Sequence, residues 1–207
     1  MMIRKILSIL MITLSLSVLS AETEYYLGLG LAYDANKLAS DNLQYFKNYG
    51  NGNISMLNAV GLSFNSFFVP YSKFRLGFVL DGNILFPVGY MDSSGNTVGY
   101  ISFNFDNRLD LFAGLGYCQM FSRKIGGFIQ AGMAYSWYRT AENNDPNDRT
   151  PVEFTWFGEW STGAVVGIMT RNKNSYFRVS ASFMYTLFHA KEEGFRFFIG
   201  AGGGYIF

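Results

Sequence analysis

The stretch "YYLGLGLAYD", Tyr25 to Asp34, decides the fold class. Tyr25, Leu27, Leu29, Leu31 and Tyr33 fall on odd positions, while Tyr26, Gly28, Gly30, Ala32 and Asp34 fall on even ones. A period of two is the signature of a β-strand whose two faces meet different surroundings. Here one face is large and apolar, and the other is small or polar.

Moving outward, the same parity recurs. Val60, Leu62 and Phe64 oppose Ala59, Gly61, Ser63 and Asn65. Phe74, Leu76, Phe78, Leu80, Ile84 and Phe86 oppose Arg75, Gly77, Asp81 and Asn83. From Tyr100 to Phe121 one register persists, with Ile101, Phe103, Phe105, Leu109, Leu111, Leu115 and Tyr117 against Ser102, Asn104, Asp106, Arg108, Asp110, Gly114 and Gly116. That continuity predicts one long strand rather than two. Ile129, Met133, Tyr135 and Trp137 oppose Gln130, Gly132, Ala134 and Ser136. Trp156, Trp160, Ala164, Val166 and Ile168 oppose Glu159, Ser161, Gly163 and Gly167. Phe177, Val179, Phe183, Tyr185 and Leu187 oppose Arg178, Ser180, Ser182 and Thr186. The last segment, "FRFFIGAGGGYIF", sets Phe197, Ile199, Ala201, Tyr205 and Phe207 against Arg196, Gly200, Gly202 and Gly204. The pattern predicts eight strands.

Volume decides which face turns inward. An eight-stranded barrel has an interior barely wide enough for its side chains. It cannot hold all the large residues above, whereas the glycine-rich face suits a narrow interior. A soluble barrel of lipocalin type, apolar inside, is therefore set aside. The expectation is an all-β, antiparallel, up-and-down transmembrane barrel with its large residues in lipid. Short links at "VPYSK", "FSRKIGG" and "TRNKNS" mark one end. Longer or more polar links, including Ala35 to Asn53 and Ala141 to Pro151, mark the other. Short turns of such barrels face the periplasm and long loops face outward. All three tryptophans, Trp137, Trp156 and Trp160, fall toward the long-loop end, where interfacial aromatics form a girdle.

Composition agrees, with 18% aromatic and only 15% charged residues and 23 glycines in 207 residues. The formal charge of +1 offers no electrostatic footprint for nucleic acid. Arg4 and Lys5, the apolar run Ile6 to Val18 and the small residues Leu19-Ser20-Ala21 read as a secretory signal peptide over residues 1–21, leaving residues 22–207 as one barrel domain. Cleavage after Ser20 or after Ala21 fits equally. The one cysteine, Cys118, is far from that site and has no disulfide partner within the chain.

The architecture and the terminal "GYIF" resemble the small eight-stranded outer-membrane proteins of the OmpX, OmpW and OmpA-transmembrane type. The resemblance implies a bacterial outer-membrane location and lipid as surroundings. It also implies that Tyr205 and Phe207 form a signal read by the barrel-insertion machinery. Some barrels of this size are lipid A deacylases or palmitoyltransferases, which directs attention to the sole histidine, His189. A deacylase-like arrangement needs serine two residues on, where Lys191 stands. Without a nucleophile to activate, His189 reads as an interfacial residue, and no enzyme is expected. "DPND", Asp145 to Asp148, lacks the glycine and terminal glutamate of a calcium loop. Neither a metal nor another cofactor is expected.

Two functions remain. The barrel displays loops as a surface, adhesion or membrane-integrity protein, with an extracellular ligand at Ala35 to Asn53, where Leu38, Leu43, Tyr45, Phe46 and Tyr49 are apolar residues in a loop. Alternatively it passes small or apolar solutes. The lumen bears on the choice. Arg75, Asp81, Arg108, Asp110, Glu159, Arg178 and Arg196 all point inward by parity, and Asp110 and Arg196 lie on strands that face each other across an eight-stranded barrel. Charges in a narrow interior are costly unless paired, so they are expected to form a network that closes the lumen to anything but water or small ions.

Overall fold

In a computed structural model of the chain, residues 23–37, 54–70, 75–92, 97–99, 107–141, 154–187 and 194–207 are described. They contain nine strands: β1 Glu24–Lys37, β2 Ile54–Val69, β3 Leu76–Asp92, β4 Thr97–Gly99, β5 Asn107–Met120, β6 Ile125–Ala141, β7 Phe154–Asn172, β8 Ser175–Thr186 and β9 Phe195–Ile206. Eight of them close a ring in the order β1-β2-β3-β5-β6-β7-β8-β9, every neighbour antiparallel, and β9 pairs back onto β1. The barrel is thus eight-stranded and up-and-down, as alternation predicts. β4 is a three-residue addition that pairs only with the far end of β3. The strand expected from Tyr100 to Phe121 is seen as β5 from Asn107; Ile101, Phe103 and Phe105 lie outside the described residues, as does Phe74.

Cross-strand partners have matching faces. Leu29 sits opposite Phe64 and Leu31 opposite Leu62, all exposed, while Gly28 sits opposite Asn65 inside. Leu29, Leu31, Leu62, Leu115 and Ile168 each keep about three-fifths or more of their surface exposed, so the outer wall is apolar. Backbone hydrogen bonds between Tyr25 and Phe207 complete the seam, N to O at 3.1 Å and 3.0 Å in the two directions. At the tightest hairpin, Asn172 pairs with Ser175 across Lys173 and Asn174, and Lys173 takes φ 47°, the left-handed geometry of a two-residue β-turn.

The interior differs from expectation in one respect. The inward face also carries large rings: Phe67, Phe112, Phe128 and Tyr176 pack with Tyr26, Val79, Met169 and Ile206 in the half nearer the short turns. The glycines explain how a narrow barrel holds them. A Cβ on Gly77 or on Gly116 would sit 2.9 Å from the Phe67 ring, so that ring occupies space which two bare backbones leave. Gly167 likewise leaves room for the Phe128 ring and Gly28 for the Tyr176 hydroxyl, so some inward glycines are seats for a neighbour's side chain.

Candidate functional site

Polar side chains inside the barrel fall into three tiers. At the short-turn mouth, Arg171 Nη1 donates to Glu24 Oε1 at 2.8 Å and lies 3.2 Å from Tyr26 Oη, whose hydroxyl donates to Glu24 Oε2 at 2.7 Å. Both charged side chains keep a quarter or more of their surface in solvent. Deeper in, Arg178 Nη2 donates to Asp81 Oδ2 at 2.7 Å, its guanidinium lying 5.3 Å from the Phe128 ring centre. Asp81 also accepts the backbone N–H of Ser66 at 3.0 Å. Beside them, Tyr176 donates its hydroxyl to Asn65 Oδ1.

The third tier, toward the long-loop end, is a closed cycle of four charges. Asp34 Oδ2 lies 2.7 Å from Arg108 Nη2 and its Oδ1 lies 3.5 Å from Arg196 Nε. Asp110 Oδ1 lies 3.0 Å from Arg108 Nε, and its Oδ2 lies 3.0 Å from Arg196 Nη2. Each carboxylate touches both guanidiniums, and the four sum to zero charge. None exposes more than 3% of its surface. Arg196 Nη1 also donates to Ser136 Oγ. Above the cycle, Asn36 donates to Tyr138 Oη at 2.6 Å, and Tyr138 donates to Glu159 Oε2 at 3.2 Å. The Arg108 guanidinium lies 5.4 Å from the centre of the Tyr138 ring, whose other neighbour, Phe157, is stacked at 4.7 Å.

Burying such charges singly is prohibitive, because each loses its hydration. Alternating signs around a ring restores much of that loss, and the charge-assisted hydrogen bonds from Arg196 to Asp110 orient those two groups. The arrangement leaves little open space. A cavity of about 40 Å³ separates the tetrad from the Asp81–Arg178 pair, room for one or two waters, and one of about 10 Å³ lies beyond Arg178. A third, about 140 Å³, is at the short-turn mouth.

Of the inward charges named from parity, Arg108, Asp110 and Arg196 come together, Asp81 and Arg178 form a separate pair, Glu159 joins Tyr138, and Arg75 stands at the mouth, away from the other six. Sequence reasoning missed Asp34, the fourth member of the tetrad, although the parity of "YYLGLGLAYD" already turns it inward; the same parity would have found Glu24. It also missed Tyr138 and Ser136, whose roles depend on neighbours from distant strands. Trp137, Trp156 and Trp160 are exposed on the outer wall, with Tyr135 between Trp137 and Trp160 at ring distances of 4.4 Å and 4.7 Å. Tyr205 and Phe207 are outward and about two-thirds or more exposed, whereas Ile206 is buried. His189, Asp145 to Asp148 and the loop residues Leu38, Leu43, Tyr45, Phe46 and Tyr49 lie outside the described residues.

A closed antiparallel barrel that is apolar on its outer wall and filled with paired charges within has no stable place in water. It defines the class of small transmembrane β-barrels of bacterial outer membranes, surrounded by lipid. Among solved structures, the fold is similar to that of Neisserial surface protein A, with a TM-score of 0.56 at 10% identity over 86% of this chain and 94% of that one. It is also similar to Ail, the attachment invasion locus protein of Yersinia pestis, in complex with the heparin analogue sucrose octasulfate, with a TM-score of 0.51 at 14% identity over 90% of this chain and 99% of that one. No family model and no curated protein sequence matches the chain.

Proposed function

We propose that this protein is a nonconducting outer-membrane barrel whose working surface is its long-loop end, where the stretch from Ala35 to Asn53 is the first candidate for contact with an extracellular ligand. The observation that carries this reading is the buried Asp34–Arg108–Asp110–Arg196 cycle: a solute moving through the lumen would have to separate charges that have little room for water to replace their partners. The fold likeness to Ail, crystallised with a heparin analogue, makes sulfated glycans a sensible first probe of the loops.

The test is uptake of polar and apolar test solutes by liposomes carrying the refolded protein, beside single-channel recording of the wild type, Asp110→Ala, Arg196→Ala and the double variant. The proposal expects uptake equal to that of protein-free liposomes and no wild-type conductance. Solute uptake through the wild type would overturn it in favour of a small channel. Conductance that rises in the variants alone would identify the cycle as the closure, whereas none in all four would assign closure to the packed interior as a whole.

Insertion is a separate proposal, in which Tyr205 and Phe207 are the rings that the barrel-insertion machinery reads. Phe207→Lys is expected to lower the amount of protein assembled in the outer membrane while leaving refolding into detergent unchanged. Loss of both together would mean that the ring serves the fold and is not read.

A further inference from the structure

The short-turn mouth contains an unbalanced charge that the closed lumen does not explain. Glu24, Tyr26, Arg75, Cys118, Met120 and Arg171 line the cavity of about 140 Å³. Arg171 is engaged with Glu24 and Tyr26. Arg75 is not: its Nη1 is buried and, among the described residues, has no hydrogen-bond acceptor. With one carboxylate and two guanidiniums, the described wall carries a net charge of +1. A buried guanidinium nitrogen without an acceptor is unfavourable, because its two N–H donors lose water and gain nothing.

The backbone at Arg75 is also unusual. Arg75 has φ 56°, the left-handed region that a branched-off side chain occupies only at a cost, and glycine would suit the position better. Its carbonyl accepts the Cys118 N–H at 3.0 Å, which ties this strained residue to β5 beside the cavity. Cys118 itself turns to the core and donates its thiol to Met169 Sδ at 3.2 Å. With Glu24 and Arg171 engaged with each other, the unengaged charge on the wall is that of Arg75, which disfavours a metal cation and favours an anion.

The geometry points to a small-oxyanion site in this mouth, with Arg75 as the principal ligand, Arg171 as the second cation, and phosphate or a phosphomonoester as the class of ligand. Guanidinium forks match phosphate oxygens in pairs, and a phosphate group, at about −1.5 to −2 near neutral pH, more than offsets the net +1 of the wall. The volume of about 140 Å³ admits an ion of phosphate size plus a few waters. The lumen above is blocked by Arg178–Asp81 and by the tetrad, so the site is a blind cup that holds an anion without passing it on. The phosphate can belong to a free ion or to the headgroup of a lipid at the barrel's rim.

The full-length mature protein, refolded in zwitterionic detergent, is titrated at constant ionic strength with inorganic phosphate in one arm and with a short-chain phosphatidic acid in the other. Binding is read by calorimetry and by backbone amide shifts. Saturable binding with shifts centred on Arg75, Cys118 and Arg171 supports the site, and the arm that saturates names the source. Arg75→Gly, whose backbone accepts the φ of this position, is expected to bind about tenfold or more weakly, with Arg75→Lys between it and the wild type. Equal binding by wild type and Arg75→Gly overturns the site, as does wild-type binding without saturation in both arms or with shifts elsewhere. The wild-type shift map stands by itself should a variant fail to refold.

Discussion

Asp110 on β5 and Arg196 on β9 meet across the lumen, Oδ2 to Nη2 at 3.0 Å, although 86 positions separate them in the chain. They can meet because β5 and β9 are the fourth and eighth strands of the ring, hence opposite walls. Asp34, from β1, closes the same ring of charge from beside β9. Replacing Asp110 by Ala leaves two buried guanidiniums sharing one carboxylate, and the loss expected is about 3–5 kcal/mol. The Asp110→Ala/Arg196→Ala pair is expected to lose clearly less than the sum of its single changes, as measured by urea unfolding in lipid vesicles. Strict additivity would mean that the contact contributes nothing as a pair.

Close backbone approach between β5 and β6 gives a second expectation. Gly114 and Gly132 are cross-strand partners, and a Cβ on Gly132 would lie 2.7 Å from the Gly114 Cα. Gly132→Val has no flexible neighbour to displace and is expected to cost about 1–3 kcal/mol, seen as a smaller fraction of compact, heat-modifiable protein on refolding. Met133→Val, on the exposed outer wall next to it, is expected to refold like the wild type. Equal yields for the two would contradict the close packing of these strands.

The three tryptophans lie on the outer wall, between 38% and 62% exposed in the absence of lipid, so lipid and its headgroups are their surroundings. Fluorescence in vesicles is expected to be quenched more strongly by phospholipids brominated near the headgroup end of the chain than by those brominated at its tip. Strong quenching by acrylamide with little by either lipid would place the rings in water.

Sidedness follows from the turns. Lys124 and Lys173 are exposed at the short-turn end. In otherwise cysteine-free protein, Lys124→Cys and Lys173→Cys are expected to resist a membrane-impermeant thiol reagent on intact cells and to react after permeabilisation. Labelling of either on sealed cells would reverse the orientation.

Alternation in the chain determined which face of each strand is wet or greasy, because a period of two is local: successive side chains point apart whatever the rest of the chain does. Glycine on one face and Leu, Phe and Trp on the other also determined which face turns inward, because volume in an eight-stranded ring is limited. Arg108, Asp110 and Arg196 were legible as interior charges for the same reason. Tertiary structure alone decided that Asp34 completes their ring while Arg75 stands apart, because partners are chosen by the stagger of strands distant in sequence. It also decided that Phe67 and Phe128 point inward without overfilling the lumen, since the space that receives each ring belongs to glycines on neighbouring strands.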